Sequence, residues 1–410
     1  MKKLFILAAA AIVAMAACSK VETIDNTPDS PICFTVVNHL QLKTRADVTY
    51  PTTVPFGTFA WWTADDWTNI AADQTFVFMN NEQISWHSIS ASTSEVWAPE
   101  NMYYWTKTGK ITFASYSPYT AAGTDKGYNE IPKYNVTKGF LFNDYTIVNN
   151  TDVDLMWANL AANCTKTTNT DGTEVTNDSN PEGGYAGVPT IFNHALCQVG
   201  FAFRAIGTKN PNVSDIKIEV TDVDILNIDN KGSFTQIPAV TTPATPRWAT
   251  DHEHYVANYD YAPAEALVLD LLDGSNANVV NANNYTPLLK NATDTDPYTR
   301  ILLPQALLET AHATIANALE DIATTGDQKL VVKYTVKVKY TSAPDDWATE
   351  DVVSTVRLNN GNITAWADNQ SITYRISINP YATIPVTFDP AITDWDPVAS
   401  TDVNINEFDD

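Results

Sequence analysis

Apolar and polar residues alternate with a period of two through most of this chain, and sustained helical periodicity is nearly absent. In the run 330–340, Val332, Tyr334, Val336, Val338 and Tyr340 fall on one side, while Lys333, Thr335, Lys337 and Lys339 fall on the other. Successive side chains of an extended backbone point to opposite faces, so this run predicts a half-buried strand with its lysines in solvent. The same pattern recurs in Ile372, Tyr374, Ile376 and Ile378, in Val199, Phe201 and Phe203, and in Ile216, Ile218 and Val220. Many short strands separated by Pro, Asn, Asp and Gly turns predict antiparallel β-sandwiches. One minor helix is predicted over residues 304–322, where Leu307, Leu308, Ala311, Ile315 and Leu319 share a side. The expected fold class is therefore all-β, with two sandwich domains.

Residues 163–187 form a polar stretch rich in Thr, Asn and Gly, with few large apolar side chains. That composition suits a linker, and it places the division between the domains at Gly187. The N-terminal sandwich is then expected over residues 46–187, the C-terminal one over 188–397, and a tail over 398–410. A second irregular stretch, 238–261, reads as a surface excursion.

The first forty-five residues follow a different pattern. Lys2 and Lys3 precede an apolar run over 4–13, and Met15-Ala16-Ala17 leads with small residues into Cys18. This is the layout of a lipoprotein signal, expected over residues 1–17, with Cys18 becoming the lipidated N-terminus. Signal peptidase II and the lipidation machinery are the partners this implies, and the outer membrane is the site of anchorage. The apolar run is short of the roughly 20 residues that a spanning helix needs. Residues 18–45 then read as a propeptide. Arg45 is the first arginine of the chain, followed by Ala46 and the turn-prone Tyr50-Pro51-Thr52-Thr53. Nicking concentrates at such places, although a lone basic residue in a loop is more often simply solvated.

Of the 410 residues, 44% are hydrophobic and 11% aromatic, enough for substantial cores. A formal charge of −24, from 48 acids against 24 bases, excludes a nucleic-acid or anionic-lipid surface, because both require clustered cations. Besides Cys18 there are Cys33, Cys164 and Cys197. Three is an odd number, so at most one internal bridge can form. Cys164 with Cys197 is the pair that cleavage at Arg45 would spare, and free buried thiols are the equal alternative.

Catalytic patterns are missing from the sequence: there is no Gly-rich phosphate loop, Ser-centred elbow or paired-cysteine metal spacing. His252-Glu253-His254 lacks a placed third ligand, and the carboxylates of Asp394 and Asp396 are two among many. His194, inside Ile191-Phe192-Asn193-His194-Ala195-Leu196, fits a hydrogen-bonded core residue. No enzymatic activity, metal, cofactor or nucleic-acid partner is expected.

The order of short motifs is more specific than any one of them. Val54-Pro55-Phe56-Gly57-Thr58-Phe59-Ala60 is followed by Met102-Tyr103-Tyr104-Trp105, by Ile111-Thr112-Phe113-Ala114-Ser115-Tyr116-Ser117-Pro118, by Asp154-Leu155-Met156-Trp157-Ala158 and by Phe192-Asn193-His194-Ala195-Leu196. Ile301-Leu302-Leu303-Pro304-Gln305, the segment from Trp366 to Tyr374, Ile384-Pro385-Val386-Thr387-Phe388 and Asp394-Trp395 complete the series. This succession, behind a lipoprotein signal and an early arginine, resembles the fimbrillin-like, type V pilin family over nearly the whole mature chain.

The resemblance implies two transthyretin-like sandwiches, a cell-surface fimbrium as the location, and cutting between Arg45 and Ala46 by an arginine-specific surface protease. It also implies that a strand within residues 32–37, carried by Ile32, Phe34 and Val36, leaves with the propeptide. Other copies of the chain and related fimbrial subunits would be its partners, and a neighbour's C-terminal segment would refill the groove. The apolar residues of this chain's own tail, Val398, Val403, Ile405 and Phe408, form the candidate donor, and residues 383–388 are the fallback. Two alternatives remain open on sequence. One is a monomeric glycan-binding surface lipoprotein using Trp61, Trp62 and Trp67 as a sugar platform, and the other is a tip or anchor subunit that does not polymerise.

Overall fold

A computed structural model describes residues 31–38, 50–67, 76–88, 95–148, 153–168, 174–176, 187–207, 210–239, 245–252, 256–271, 285–307, 328–359, 361–381 and 386–394. Every regular element among them is a β-strand. The predicted helix lies, from residue 308 onward, outside the described residues, but its expected first turn is not helical. Gln305 and Trp366 exchange backbone hydrogen bonds of 3.1 and 2.8 Å, and Leu307 donates to the Thr364 carbonyl. Leu303 and Leu307 are buried, so this segment is held extended by tertiary pairing rather than by helical propensity.

The chain enters with β1 (Phe34–Asn38), β2 (Phe56–Thr63), β3 (Phe76–Ser88), β4 (Glu95–Pro99) and β5 (Lys110–Ser117). Next come β6 (Lys133–Asn135) and β7 (Gly139–Thr146), then β8 (Met156–Ala158) and β9 (Ala161–Cys164), a ribbon of β10 (Lys166–Thr168) and β11 (Glu174–Thr176), and β12 (Val188–His194). Eight of these form one sheet in the order β2-β3-β4-β1-β12-β8-β5-β9, and β2 also pairs with β5. That extra pairing closes the sheet on itself, with β9 appended and β1 as one stave of the wall. Closure removes open edges.

Alternation explains the filling of this barrel. Phe56, Thr58 and Ala60 of β2 are fully buried, and Thr58 Oγ1 meets Ser115 Oγ at 2.9 Å, which satisfies both hydroxyls. The interior is packed by Phe34, Tyr50, Phe56, Ile84, Trp97, Phe113, Met156 and Phe192. The intervening Phe59 and Trp61 point outward and meet Phe140 and Tyr134, at ring separations of 6.3 and 5.2 Å.

The remaining strands are β13 (Cys197–Ala205), β14 (Val213–Asp229), β15 (Lys231–Thr235), β16 (Trp248–Thr250), β17 (Val256–Asp260), β18 (Leu267–Asp270), β19 (Thr286–Pro287), β20 (Thr299–Leu302), β21 (Lys329–Tyr340), β22 (Ala343–Arg357), β23 (Gln370–Ile378) and β24 (Val386–Asp394). One sheet runs β19-β13-β23-β24 with β20 also on β13, and another runs β17-β14-β21-β22 with β18 also on β14. Phe201, Phe203, Tyr374 and Ile376 of the first pack with Ile218, Val220, Val332 and Tyr334 of the second in one core. This is a sandwich, as the alternation predicts.

Three details depart from the sequence reading. The β1–β12 and β13–β23 pairs are parallel, whereas the other strand pairs among the described residues are antiparallel. The lysine face of β21 is an ion-pair ladder rather than a purely solvated row: Lys337 contacts Glu219 at 2.6 Å and Lys333 contacts Asp224 at 2.9 Å. The sheets also cross the expected division at Gly187, because β12 belongs to the N-terminal barrel while β15 pairs with β7, joining β16 and β6 into one sheet in the order β16-β15-β7-β6. A linker composition therefore does not mark the point where strand pairing changes partner: Cys164, inside the polar stretch, is buried in the barrel.

Candidate functional site

The seat of β1 combines local alternation with distant pairing. From Phe34 beside Val188 to Asn38 beside Phe192, the strand runs parallel to β12, and Phe34 also pairs with Trp97 of β4. Just upstream, Ile32 donates to the Tyr103 carbonyl and Val188 donates to the Cys33 carbonyl, both at 2.8 Å. Ile32 and Phe34 are buried and Val36 packs on the same core, whereas Cys33 and Thr35 are half-buried. Ile32, Phe34 and Val36 therefore share the inward face of the strand. The Phe34 ring meets Phe56 and Phe113 edge-on at 5.6 and 5.7 Å.

No hairpin joins β1 to β4 or to β12, since other strands intervene in the chain on both sides. Backbone pairing and side-chain burial alone hold it, and burial contributes about 1.5–3 kcal/mol for each of Ile32 and Phe34. Gly187 shapes the seat. Its φ is +139°, and a Cβ there would stand 2.8 Å from the Cys33 carbonyl oxygen. We expect Gly187→Val to loosen β1 and lower the melting temperature of the full chain by several degrees, read by circular dichroism; an unchanged melt would contradict this close approach.

Arg45 and Ala46 lie outside the described residues, as do Cys18 and the tail residues Val398, Val403, Ile405 and Phe408. The first described residue after the expected cut is Tyr50, which composition marks only as part of a turn. The turn exists, with Val54 donating to the Pro51 carbonyl at 3.0 Å, but Tyr50 itself is buried in the barrel. Its ring stacks on Phe192 at 5.0 Å and meets Trp97 at 5.3 Å, and its hydroxyl lies 2.6 Å from Ser117 Oγ. Burial pushes the Tyr50 hydroxyl well above the ordinary phenol range, so it stays protonated.

Of the fallback donor, residues 383–388, only 386–388 lie among the described residues, and they belong to β24. Val386 pairs with Ile378 and Phe388 with Ile376, and Val386 is buried, so this stretch is already used by its own sandwich. Cys164 and Cys197 are free thiols in separate cores, and each donates to a carbonyl, of Ala161 at 3.4 Å and of Leu302 at 3.3 Å. A bridge between them would have to join the barrel interior to the sandwich. Burial pushes the Cys164 thiol up to about 12, which leaves it unreactive as a nucleophile.

His194 Nδ1 lies 2.7 Å from an Asp154 carboxylate oxygen and is buried, as expected of a core histidine. His252 is not merely solvated: its Nδ1 lies 2.6 Å from Asp229, which is itself buried. His254 and Asp396 fall outside the described residues. Of the three tryptophans considered for a sugar platform, Trp67 is buried and Trp61 packs on it at 5.5 Å. Trp62 donates its indole N–H to the Thr108 carbonyl and packs on Phe76 at 5.7 Å.

One cluster has no mark in the sequence, because Asp260 is distant along the chain from Asp222 and Asp224. The carboxylates of Asp222, Asp224 and Asp260 approach within 4.8 Å of one another. The Lys333 ammonium lies on Asp222 and Asp224, so a cation is already supplied from β21. Burial, with the neighbouring Asp222 and Asp224 charges, holds the Asp260 carboxyl above its usual range.

Comparison with known proteins places this architecture. The fold resembles a fimbrial protein from Bacteroides vulgatus at a TM-score of 0.52, with 19% sequence identity over 89% of this chain and 99% of that one. The tip fimbrial protein Mfa3 from Porphyromonas gingivalis, with a C-terminal truncation, aligns over 83% of this chain and 94% of its own at 10% identity and a TM-score of 0.29. The first likeness is one of fold, and the second is too distant to carry an argument. No curated protein matches the sequence. The profile of the fimbrillin-like family matches residues 44–395, and the chain belongs to that family.

Proposed function

We propose that the protein is a structural subunit of a cell-surface fimbria, exported as a lipoprotein through Cys18, cut at Arg45 by an arginine-specific protease, and polymerised by strand exchange in support of adhesion. The observation that carries this reading is the position of β1. It is a stave in a closed wall, contributes Ile32 and Phe34 to the core, and is joined to neither flanking strand by a hairpin. Its departure would bare the facing edge of β12 and the rings of Phe56 and Phe113. An open edge above an apolar floor is a template for another strand.

Val403 and Ile405 repeat the two-residue spacing of Ile32, Phe34 and Val36. A neighbour's tail thus has the alternation that the slot requires, with Val398 and Phe408 as flanking apolar residues. Incubating the purified precursor with an arginine-specific protease is expected to yield a heat-sensitive ladder of oligomers on a gel. Processed chain that stays monomeric and is instead retarded by a polysaccharide would favour a glycan-binding lipoprotein. Processed chain that caps polymers without extending them would identify a tip subunit.

A further inference from the structure

We propose that Tyr50 is a retained staple, which keeps the slot at the width of one strand after β1 has gone. This rests on the removable-strand reading above and adds a residue to it. Tyr50 lies downstream of Arg45 and so remains with the processed chain. Its ring touches Trp97 of β4 at 5.3 Å and Phe192 of β12 at 5.0 Å, the two strands that flank β1. Phe56 completes the group, at 6.2 Å from Tyr50, 5.4 Å from Trp97 and 5.5 Å from Phe192. The Tyr50 hydroxyl, 2.6 Å from Ser117 Oγ, ties the same ring across the barrel to β5.

The interior aromatics divide accordingly into two sets. Phe34 meets Phe56 and Phe113, and those two contacts leave with β1. The contacts among Tyr50, Phe56, Trp97 and Phe192 do not involve β1 and persist. Without them, β4 and β12 would be two unpaired edges about 10 Å apart, free to close on each other and pair. A ring that spans both strands from inside opposes that collapse and preserves the register an incoming strand must meet. Tyr50 is thus a positioning residue for strand acceptance, distinct from the residues the incoming strand replaces.

The test uses the full chain, cut in solution with an arginine-specific protease, and a labelled synthetic peptide of residues 31–38 as the incoming strand. Processed wild-type protein is expected to release its own strand and bind the peptide. Processed Tyr50→Ala is expected to bind it about a hundredfold more weakly, while the uncut variant remains folded with a lowered melting temperature. Tyr50→Phe keeps the ring and is expected to bind within about threefold of wild type. If uncut Tyr50→Ala does not fold, Tyr50→Leu replaces it, with an expected loss of about tenfold after processing. Equal peptide affinity for processed wild type and the alanine or leucine variant overturns the staple. Processed wild type that never releases its strand, or never binds the peptide, overturns the removable-strand reading, and the staple with it.

Discussion

Arg45→Ala should leave the precursor full-length and monomeric, because an uncut β1 competes for its own slot from within the same chain. A tethered strand acts at an effective concentration of order millimolar, whereas a neighbour's tail is presented at about micromolar subunit concentration. Even with equal intrinsic affinities the neighbour loses by about a thousandfold. The resident strand is also well seated, with Ile32 and Phe34 buried and the Cys33 carbonyl accepting from Val188 at 2.8 Å. Filament counts by electron microscopy and ladders on unheated gels should both fall to background. Normal-length filaments from this variant would mean that strand removal at Arg45 is not the step that licenses assembly.

Truncation before Val398 is the complementary experiment, since it removes the proposed donor without touching the proposed acceptor. β24 ends at Asp394 and pairs along its length with β23, so the sandwich keeps its described strands. The truncated chain, once processed, should still accept a tail. Each apolar tail residue that becomes well buried contributes about 1.5–3 kcal/mol to a joint, so losing Val403 and Ile405 together should weaken it by at least two orders of magnitude. Added to intact processed subunits, the truncated form should therefore terminate growth and shorten polymers in proportion to its share of the mixture. Truncated subunits that elongate as well as intact ones would move the donor out of the tail. The next candidate, the strand that includes residues 386–394, would have to give up its pairing with β23 to serve as a donor.

The strands were legible in the sequence wherever large apolar residues alternate with small or polar ones, as in β13, β14, β21 and β23, because a core on one side imposes alternation. The set Ile32, Phe34 and Val36 came from the resemblance to the fimbrillin-like family, and the three side chains do pack on one core. The partners of β1 were not legible. A parallel neighbour as distant in sequence as β12 leaves no local signature, and the division expected at Gly187 failed to anticipate it. Tyr50 was hidden by its own context: Tyr-Pro-Thr-Thr reads as a turn, and the chain does turn there, yet the ring enters the core. The segment opening at Pro304 shows the converse, since residues with helical spacing are drawn out flat where Gln305 pairs with Trp366. Composition likewise offered Cys164 and Cys197 as a pair, although a count of thiols carries no information about which core each one enters.

The most direct test of the central claim is the N-terminal residue of the protein recovered from assembled surface filaments, read by mass spectrometry of its first peptide. A chain starting at Ala46, with Tyr50 retained and residues 31–38 absent, is the predicted result. A filament subunit that still begins at lipidated Cys18, or anywhere upstream of Ile32, would show that β1 never leaves its place between β4 and β12, and would contradict assembly by strand exchange.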